Sequence, residues 1–351
     1  MTHTANVEQA RANLVMIQPQ PFNAEAPPEA LVGHLTPTGL HYVRSNFALP
    51  DHDGVLTVGG AVRRELSLTL DDLRAMEAVT RTVTLECAGN GRLGQTPLPV
   101  GEPWGHYAVS TAEWKGALLH EVLEQAGPQA NAVDVRFEGA DHGPYYEYEN
   151  IPFVRSLDLV HAADPAAEIL IAYEMNGEPL SPDHGAPFRI IAPRWYGVAS
   201  VKWITRIDVI DSDFEGEFQV GHYMYEWSDR PHEPVTLMRV RARITDPAPG
   251  AVIPAGTYTV RGKAWTGTGP ITQVDVALTG EGEWLPADVQ PPVNPYSWQE
   301  WSFQWEGAVP GRHTLRARAT DAAGNVQPDT PPWNRLGYGN NAIEVLYVDV
   351  S

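Results

Sequence analysis

The segment TLECAGNGR, from Thr84 to Arg92, holds the only cysteine among 351 residues. β-branched residues come before Cys87 and Ala-Gly-Asn-Gly follows it, so the pattern predicts a strand that ends at the cysteine in a tight turn. Free cysteine is usually a small buried hydrophobe. A thiolate at such a strand end, with Arg92 nearby, is also well placed to bind a soft metal.

Other chemical roles for Cys87 receive less support from the surrounding sequence. A hydrolase nucleophile would need a nucleophile elbow or a papain-type motif, and neither surrounds this cysteine. A zinc site would need a second cysteine or a tight histidine cluster, and the sequence has neither. The composition of the loop therefore favours a metal ligand without identifying the metal.

The charge balance limits the possible partners. The chain has 24 basic and 44 acidic residues, a formal net charge of −20, which argues against nucleic acid or an anionic membrane as partner. A small anionic substrate stays compatible with this charge if basic residues converge locally.

The N-terminal residues show no basic start followed by an apolar run, and no stretch approaches the roughly 20 apolar residues of a membrane helix. We therefore expect no signal peptide and a cytoplasmic location.

The hydrophobic patterns predict two domains. Strands interspersed with short helices, at Leu70–Ala78 and Trp114–Ala126, predict an α+β domain over residues 1–225. From about Val235 the sequence changes to short alternating strands broken by Pro and Gly clusters. This spacing is typical of an immunoglobulin-like β-sandwich, which we assign to residues 226–351.

The cysteine stretch resembles the motif of the sulfite oxidase family, typically CAGNRR, and the resemblance extends over most of the chain. Four more blocks match in the same order: HYVRSNFALP (41–50), WGHYAVSTAEWKGALLHEVLEQAG (104–127), AYEMNGEPLSPDHGAPFRIIAPRWYGVASVKWITRI (172–207) and GNVQPDTPPWNRLGYGNNAIEV (324–345). The resemblance implies a molybdopterin domain of the sulfite oxidase type, followed by a dimerisation domain that forms a homodimer.

The resemblance also implies the cofactor and its ligands. In the family, molybdenum is bound by two dithiolene sulfurs of a pterin, one cysteine sulfur and two oxygens, so Cys87 is expected to be the protein ligand of the metal. The pterin carries a phosphate and ring nitrogens, which suit cationic and imidazole partners. The cofactor-binding residues expected from the matched positions are Arg44, Ser45, Asn46, Cys87, His184, Arg189, Ser200 and Lys202.

The matched positions include residues of the family's catalytic pocket. Arg44 and Arg92 match arginines that line its oxoanion site, and Trp104 matches a pocket tryptophan. The resemblance implies that these residues act together with Cys87.

The family's catalytic tyrosine has no single match in YYEYENIPF (145–153). Strict counting back from Ile151 places Glu147 at that position, with a tyrosine on either side. We expect Tyr148, rather than Tyr146, to be the site residue.

Three positions depart from the family pattern. Gly91 replaces the first arginine of the usual pair, and Asn46 stands where many relatives have histidine. Pro270 falls where animal sulfite oxidases have a further substrate arginine. The missing cation weakens the assignment of sulfite and leaves that of the cofactor unchanged.

The function that we expect from the resemblance is oxygen-atom transfer, with sulfite oxidised to sulfate. One cysteine does not allow a C-x-x-C-H haem attachment, so electrons would leave to a separate acceptor such as a cytochrome.

One alternative is a relative that acts on another oxyanion or an S-oxide, nitrate included. A distant alternative is a non-catalytic glycan-binding sandwich, in which Trp298, Trp301 and Trp305 would form stacking platforms. We expect these three to share one strand face, as a core requires.

Overall fold

The computed structural model describes residues 11–278 and 283–351, so the prediction about the chain's first segment falls partly outside the described residues. The described chain is mostly β, and its helices are short. No helix in these two ranges is both long and apolar enough to cross a membrane. The α-helices of the described part are α1 (Leu70–Ala75), α2 (Leu119–Ala126) and α3 (Leu159–Ala162).

Two five-stranded sheets and two small hairpins make up the N-terminal part. In chain order its strands are β1 (Val15–Pro19), β2 (Phe22–Glu25), β3 (Val55–Gly60), β4 (Leu66–Thr69), β5 (Ala78–Glu86), β6 (Val109–Leu118), β7 (Asp134–Tyr145), β8 (Tyr148–Asp158), β9 (Leu170–Met175), β10 (Glu178–Pro179), β11 (Arg189–Ile191), β12 (Ile204–Ile210), β13 (Met224–Tyr225) and β14 (Glu233–Pro234). One sheet has the order β10-β9-β6-β5, with β11 also paired to β9. The other has the order β4-β3-β12-β7-β8, in which β12 runs parallel to β3.

A β-sandwich makes up the C-terminal part. Its strands are β15 (Arg241–Asp246), β16 (Val252–Ile253), β17 (Gly256–Trp265), β18 (Ile271–Ala277), β19 (Leu285–Pro286), β20 (Asp288–Val289), β21 (Gln299–Ala308), β22 (Gly311–Asp321) and β23 (Val345–Val350). They form a four-stranded sheet, β15-β17-β21-β20, and a five-stranded sheet, β16-β23-β22-β18-β19. Val260, Val274 and Leu315 belong to the apolar core of this unit, which is separate from that of the N-terminal part.

The predicted helix at Trp114–Ala126 is too long by five residues at its start. Trp114 is fully buried within β6, where it pairs with Arg81 of β5 on one side and Met175 of β9 on the other. Sheet pairing on both sides fixes this segment as a strand, whatever its local helical spacing. The helix α2 begins only at Leu119, and its buried residues are Leu119, Val122, Leu123 and Ala126.

The expectation that three tryptophans share one strand face is wrong. Trp301 and Trp305 belong to the sandwich core, whereas Trp298 packs into the N-terminal core and donates a hydrogen bond to the carbonyl of His34 at 2.8 Å. Positions 298 and 301 differ in parity, and successive residues of a strand point to opposite faces. All three side chains are buried, so none offers a stacking platform to a glycan.

Candidate active site at the cysteine loop

The loop after β5 holds Cys87 close to the protein interior. The thiol-bearing residue is 7% exposed, and its backbone N–H donates to the carbonyl of Ala108 at 2.9 Å. Gly91 has φ +84, which places the turn in the left-handed region that favours glycine. At Gly89 an added Cβ would lie 2.9 Å from both the guanidinium of Arg92 and the ring of Trp104. The Gly-Asn-Gly sequence is therefore required by this turn and by the side chains packed on it.

A segment of the C-terminal part supports the same loop from behind. The backbone N–H of Gly339 donates to the carbonyl of Ala88 at 2.8 Å, and the amide of Asn340 donates to that of Gly91 at 2.6 Å. Glu86, the last residue of β5, pairs with Arg241 at 3.0 Å. The two parts of the chain thus meet at the cysteine.

A cavity that is partly open to solvent lies beside Cys87. The structure brings all eight expected cofactor-binding residues into its wall. With them lie two acids, a histidine and two tyrosines that the sequence reasoning did not select: Asp141, Asp183, His41, Tyr42 and Tyr223.

Burial destabilises the charged forms of basic side chains in the cavity wall. Burial, together with the nearby charges of Arg189 and Lys202, lowers the pKa of His184 to about 3. Burial also lowers the pKa of Arg189 to about 10. Lys202 likewise has a lowered pKa, through burial and then through Arg189. A bound anion would reverse these shifts, because it would stabilise the charged forms.

Hydrogen bonds fix the cationic side chains in the wall. Lys202 donates from Nζ to the hydroxyl of Ser45 at 2.7 Å and to the carbonyl of Asp183 at 2.9 Å. Arg189 donates to the carbonyl of Ser200 at 2.8 Å. These contacts orient the donors at little further entropic cost when a ligand binds.

Two polar atoms in the wall are buried without a hydrogen-bond partner among the described residues: Nε2 of His41 and Oδ1 of Asp141. Burial raises the pKa of Asp141, and Lys202 opposes the shift. Buried polar groups normally have partners. Nδ1 of His41 donates to the carbonyl of Tyr42, so Nε2 of this neutral ring is an acceptor, as is the carboxylate oxygen of Asp141. The two atoms therefore indicate a polar ligand that offers hydrogen-bond donors.

Arg44 reaches the cavity from the segment before β3. Its guanidinium donates to the side-chain oxygen of Asn46 at 2.7 Å and to the carbonyl of Ser45. Asn46 in turn donates to the hydroxyl of Tyr223 at 3.4 Å. Burial raises the pKa of the Cys87 thiol, and Arg44 is the largest influence in the opposite direction. A cation here favours the thiolate that a metal ligand requires.

Arg92 and Trp104 surround the cysteine loop but do not form the cavity wall. Arg92 is 2% exposed, and it donates to the carbonyls of Leu336 at 3.0 Å and Glu102 at 2.7 Å. Trp104 is fully buried and belongs to the apolar cluster that contains Cys87. In this structure both side chains pack and support the loop.

Glu102 is a site residue that the sequence reasoning missed. Its carboxylate lies 3.2 Å from Arg44 and 3.7 Å from Arg92, so it joins the two arginines. The only signal in the sequence is a carboxylate two residues before Trp104.

Tyr148 does not line the cavity beside Cys87. Tyr148 begins β8 after the hairpin turn and is 40% exposed. Tyr145, at the end of β7, packs against Phe47 and Phe218, and the charges that act on its pKa include those of Arg44 and Glu102. The hairpin pairs Tyr145 with Tyr148, and the choice of Tyr148 as the site residue stays a prediction.

Comparisons with known proteins identify the family of the chain. The family model described as the oxidoreductase molybdopterin binding domain matches residues 47–218, and the Mo-co oxidoreductase dimerisation domain matches residues 232–348. The sulfane dehydrogenase SoxCD from Paracoccus pantotrophus has a similar structure, with a TM-score of 0.83 and 27% identity over 95% of this chain and 85% of that one.

Two curated relatives extend the comparison. The chain is 37% identical to the mitochondrial sulfite oxidase of Homo sapiens, over 95% of this chain and 65% of that protein. It is 34% identical to the NAD(P)H nitrate reductase of Hordeum vulgare, over 92% of this chain and 40% of that protein. The chain thus spans less than two thirds of the length of either relative. It belongs to the sulfite oxidase family of molybdopterin-binding oxidoreductases.

Proposed function

We propose that this chain uses a molybdenum-molybdopterin cofactor to transfer an oxygen atom, and that it oxidises sulfite to sulfate. The observation that carries the proposal is the position of Cys87 in the wall of a cavity that also holds the buried basic side chains of Arg189 and Lys202, whose pKa values burial lowers. A soft sulfur donor and an anion-binding wall together fit a metal-bearing pterin with a phosphate group.

The residues of the cavity would hold the cofactor by charge and hydrogen bonds. Lys202, Arg189 and His184 would bind the phosphate, since each is a buried donor whose charged form is destabilised without an anion. The free oxygen of Asp141 would accept a hydrogen bond from a pterin nitrogen. Cys87 would hold the molybdenum, and the bound cofactor would supply the two-electron oxygen transfer.

Arg44 would bind and orient the substrate. It lies in the cavity wall, 17% of its side chain is exposed, and it influences the pKa of Cys87. A guanidinium can donate two parallel hydrogen bonds to an oxyanion. Tyr223 and Tyr145 would add hydroxyl groups near Arg44. The balance is sulfite plus water giving sulfate, two protons and two electrons, and the electrons would leave to an external acceptor such as a cytochrome.

A second candidate is a reaction on a less charged substrate, such as an S-oxide, or on nitrate. Glu102 supports it, because its carboxylate offsets part of the charge of Arg44 and Arg92. The relative from Hordeum vulgare is a nitrate reductase, and the one from Paracoccus pantotrophus is a sulfane dehydrogenase. These two relatives are named for different substrates, which is consistent with more than one substrate for this fold.

We also propose the assembly and the domain division. The α+β unit would cover residues 1–225, and the immunoglobulin-like dimerisation unit would cover residues 226–351. A match to a dimerisation domain over residues 232–348 supports a homodimer. Light scattering should give the mass of two 38.5 kDa chains, and the mass of one chain at micromolar concentration would contradict the proposal. The cytoplasmic location stays a prediction.

The function is tested by turnover of the purified holoenzyme. Molybdenum content is measured first, and then sulfite, nitrate and dimethyl sulfoxide are compared with ferricyanide or cytochrome c as oxidant and reduced viologen as reductant. We expect sulfite to have the highest kcat/KM and to require an oxidant. A protein that carries molybdenum but turns over only nitrate or the S-oxide would contradict the assignment of sulfite.

A further inference from the structure

The side chain of Glu102 lies where an anion would be expected between two arginines. One carboxylate oxygen is 3.2 Å from Arg44, and the other is 3.7 Å from Arg92. Arg44 lines the same cavity as Cys87, and the guanidinium of Arg92 packs on Gly89 of the cysteine loop, so the group of three lies near the thiol. Two cations and one carboxylate leave a single net positive charge for a substrate.

Glu102 is ionised in this setting. Arg44 is the main cause of a lowered pKa for its carboxyl, burial opposes it, and Arg92 and His222 add to the lowering. The carboxylate therefore stays negative across the neutral range. Any oxyanion that binds Arg44 must either displace Glu102 or bind beside it.

The backbone of Glu102 is anchored while its side chain stays accessible. Its carbonyl accepts hydrogen bonds from Arg92 at 2.7 Å and from the backbone N–H of Trp104 at 2.8 Å. Trp104 is fully buried, whereas 29% of the Glu102 side chain is exposed. An anchored residue with a partly solvated carboxylate can yield to a ligand without unfolding its loop.

We propose that Glu102 is a specificity-determining residue that competes for Arg44 and so disfavours dianions relative to monoanionic or neutral substrates. The inference rests on the proposed function and refines its substrate class. Coulomb energy is proportional to the ligand's charge, so the carboxylate repels a dianion about twice as strongly as a monoanion. Hydrogen sulfite, with one negative charge, would bind better than the sulfite dianion.

The test compares anion binding by the wild-type holoenzyme and Glu102→Gln, with isothermal titration of sulfate, a dianion, and methanesulfonate, a monoanion. Glutamine keeps the side chain's size and removes its charge. We expect the variant to bind sulfate about tenfold more tightly and methanesulfonate about threefold more tightly, as the charge ratio requires. Equal changes for both anions, or weaker sulfate binding, would overturn the proposal.

Two further variants control the result. Glu102→Asp keeps the charge and should keep the wild-type ratio of the two affinities. Glu168→Gln removes a carboxylate that pairs with Arg81 at 2.5 Å, outside the cavity, and should leave both affinities within about twofold. If Glu102→Gln folds poorly, Glu102→Ala gives the same comparison. Binding is measured without turnover, so the inference can fail while sulfite oxidation stands, and the reverse also holds.

Discussion

The carboxylate of Glu86 accepts a hydrogen bond from Arg241 at 3.0 Å, although 155 residues separate the two in the sequence. Both side chains are almost fully buried, and a second oxygen of Glu86 accepts from the indole of Trp265 at 2.9 Å. Glu86 is the residue before Cys87, so the sandwich contacts the strand that carries the proposed metal ligand. The C-terminal part therefore helps to position the cysteine, in addition to any role in assembly.

Removing this buried cation should destabilise the protein. Arg241→Gln leaves the carboxylate of Glu86 buried with weaker compensation, and we expect the free energy of unfolding to fall by about 3–5 kcal/mol. Denaturant unfolding measures the change. Arg312→Gln is the control, because Arg312 pairs with Asp349 at 3.0 Å on the surface and its loss should cost less than about 1 kcal/mol. Equal losses in the two variants would contradict the interpretation.

The two arginines near Cys87 should respond differently to substitution. Arg44→Gln should lower kcat/KM for sulfite by about 10- to 150-fold, mostly through KM, since a charge-assisted contact contributes about 1.5–3 kcal/mol. Arg92→Gln should instead lower the free energy of unfolding by about 1.5–3 kcal/mol, because the buried Arg92 donates to two backbone carbonyls. Steady-state kinetics and denaturant unfolding of both variants give the comparison. These two roles would be contradicted if Arg44→Gln kept the wild-type KM while Arg92→Gln lost substrate affinity at unchanged stability.

The tyrosine assignment makes a third prediction. Tyr145→Phe should lower kcat/KM for sulfite by at least about tenfold, because a hydroxyl near Arg44 is lost. Tyr148→Phe should leave kcat/KM within about twofold, because Tyr148 is exposed on the other side of the hairpin. The reverse ranking would show that Tyr148 reaches the site in the working enzyme.

Acid should destabilise the cofactor-free protein through His184. In the unfolded chain this histidine binds a proton below about pH 6.5, whereas the folded protein resists protonation until about pH 3. The unfolded state thus binds more protons between these pH values. The free energy of unfolding should therefore decrease as the pH falls, by up to about 1.4 kcal/mol per pH unit. His184→Gln should remove this part of the slope, measured by denaturant unfolding from pH 7 to 4. His120→Gln, in α2 outside the cavity, serves as the control, and an unchanged slope in His184→Gln would refute the assignment.

The residues that the sequence predicts to bind the cofactor lie in local motifs, and their role stays a prediction. Strand, turn and glycine pattern around Cys87 follow from short-range chemistry, and the structure places Arg44, His184, Arg189 and Lys202 around one cavity. His41, Tyr42 and Asp183 also lie in these motifs, whereas other residues that sequence reasoning missed depend on long-range geometry. Glu102 meets Arg44 only after the loop has folded back, and the hairpin register sets Tyr145 opposite Tyr148. Trp114 is a strand residue because two other strands pair with it.

X-ray absorption at the molybdenum edge of the purified holoenzyme measures whether Cys87 binds the metal. If Cys87 binds the metal beside the two dithiolene sulfurs of the pterin, the wild-type spectrum should require three sulfur ligands. Cys87→Ser, a nearly isosteric change in a buried loop, should keep the fold and show two sulfur ligands. Wild-type protein that purifies without molybdenum, or a spectrum with the same three sulfurs in Cys87→Ser, would contradict the account.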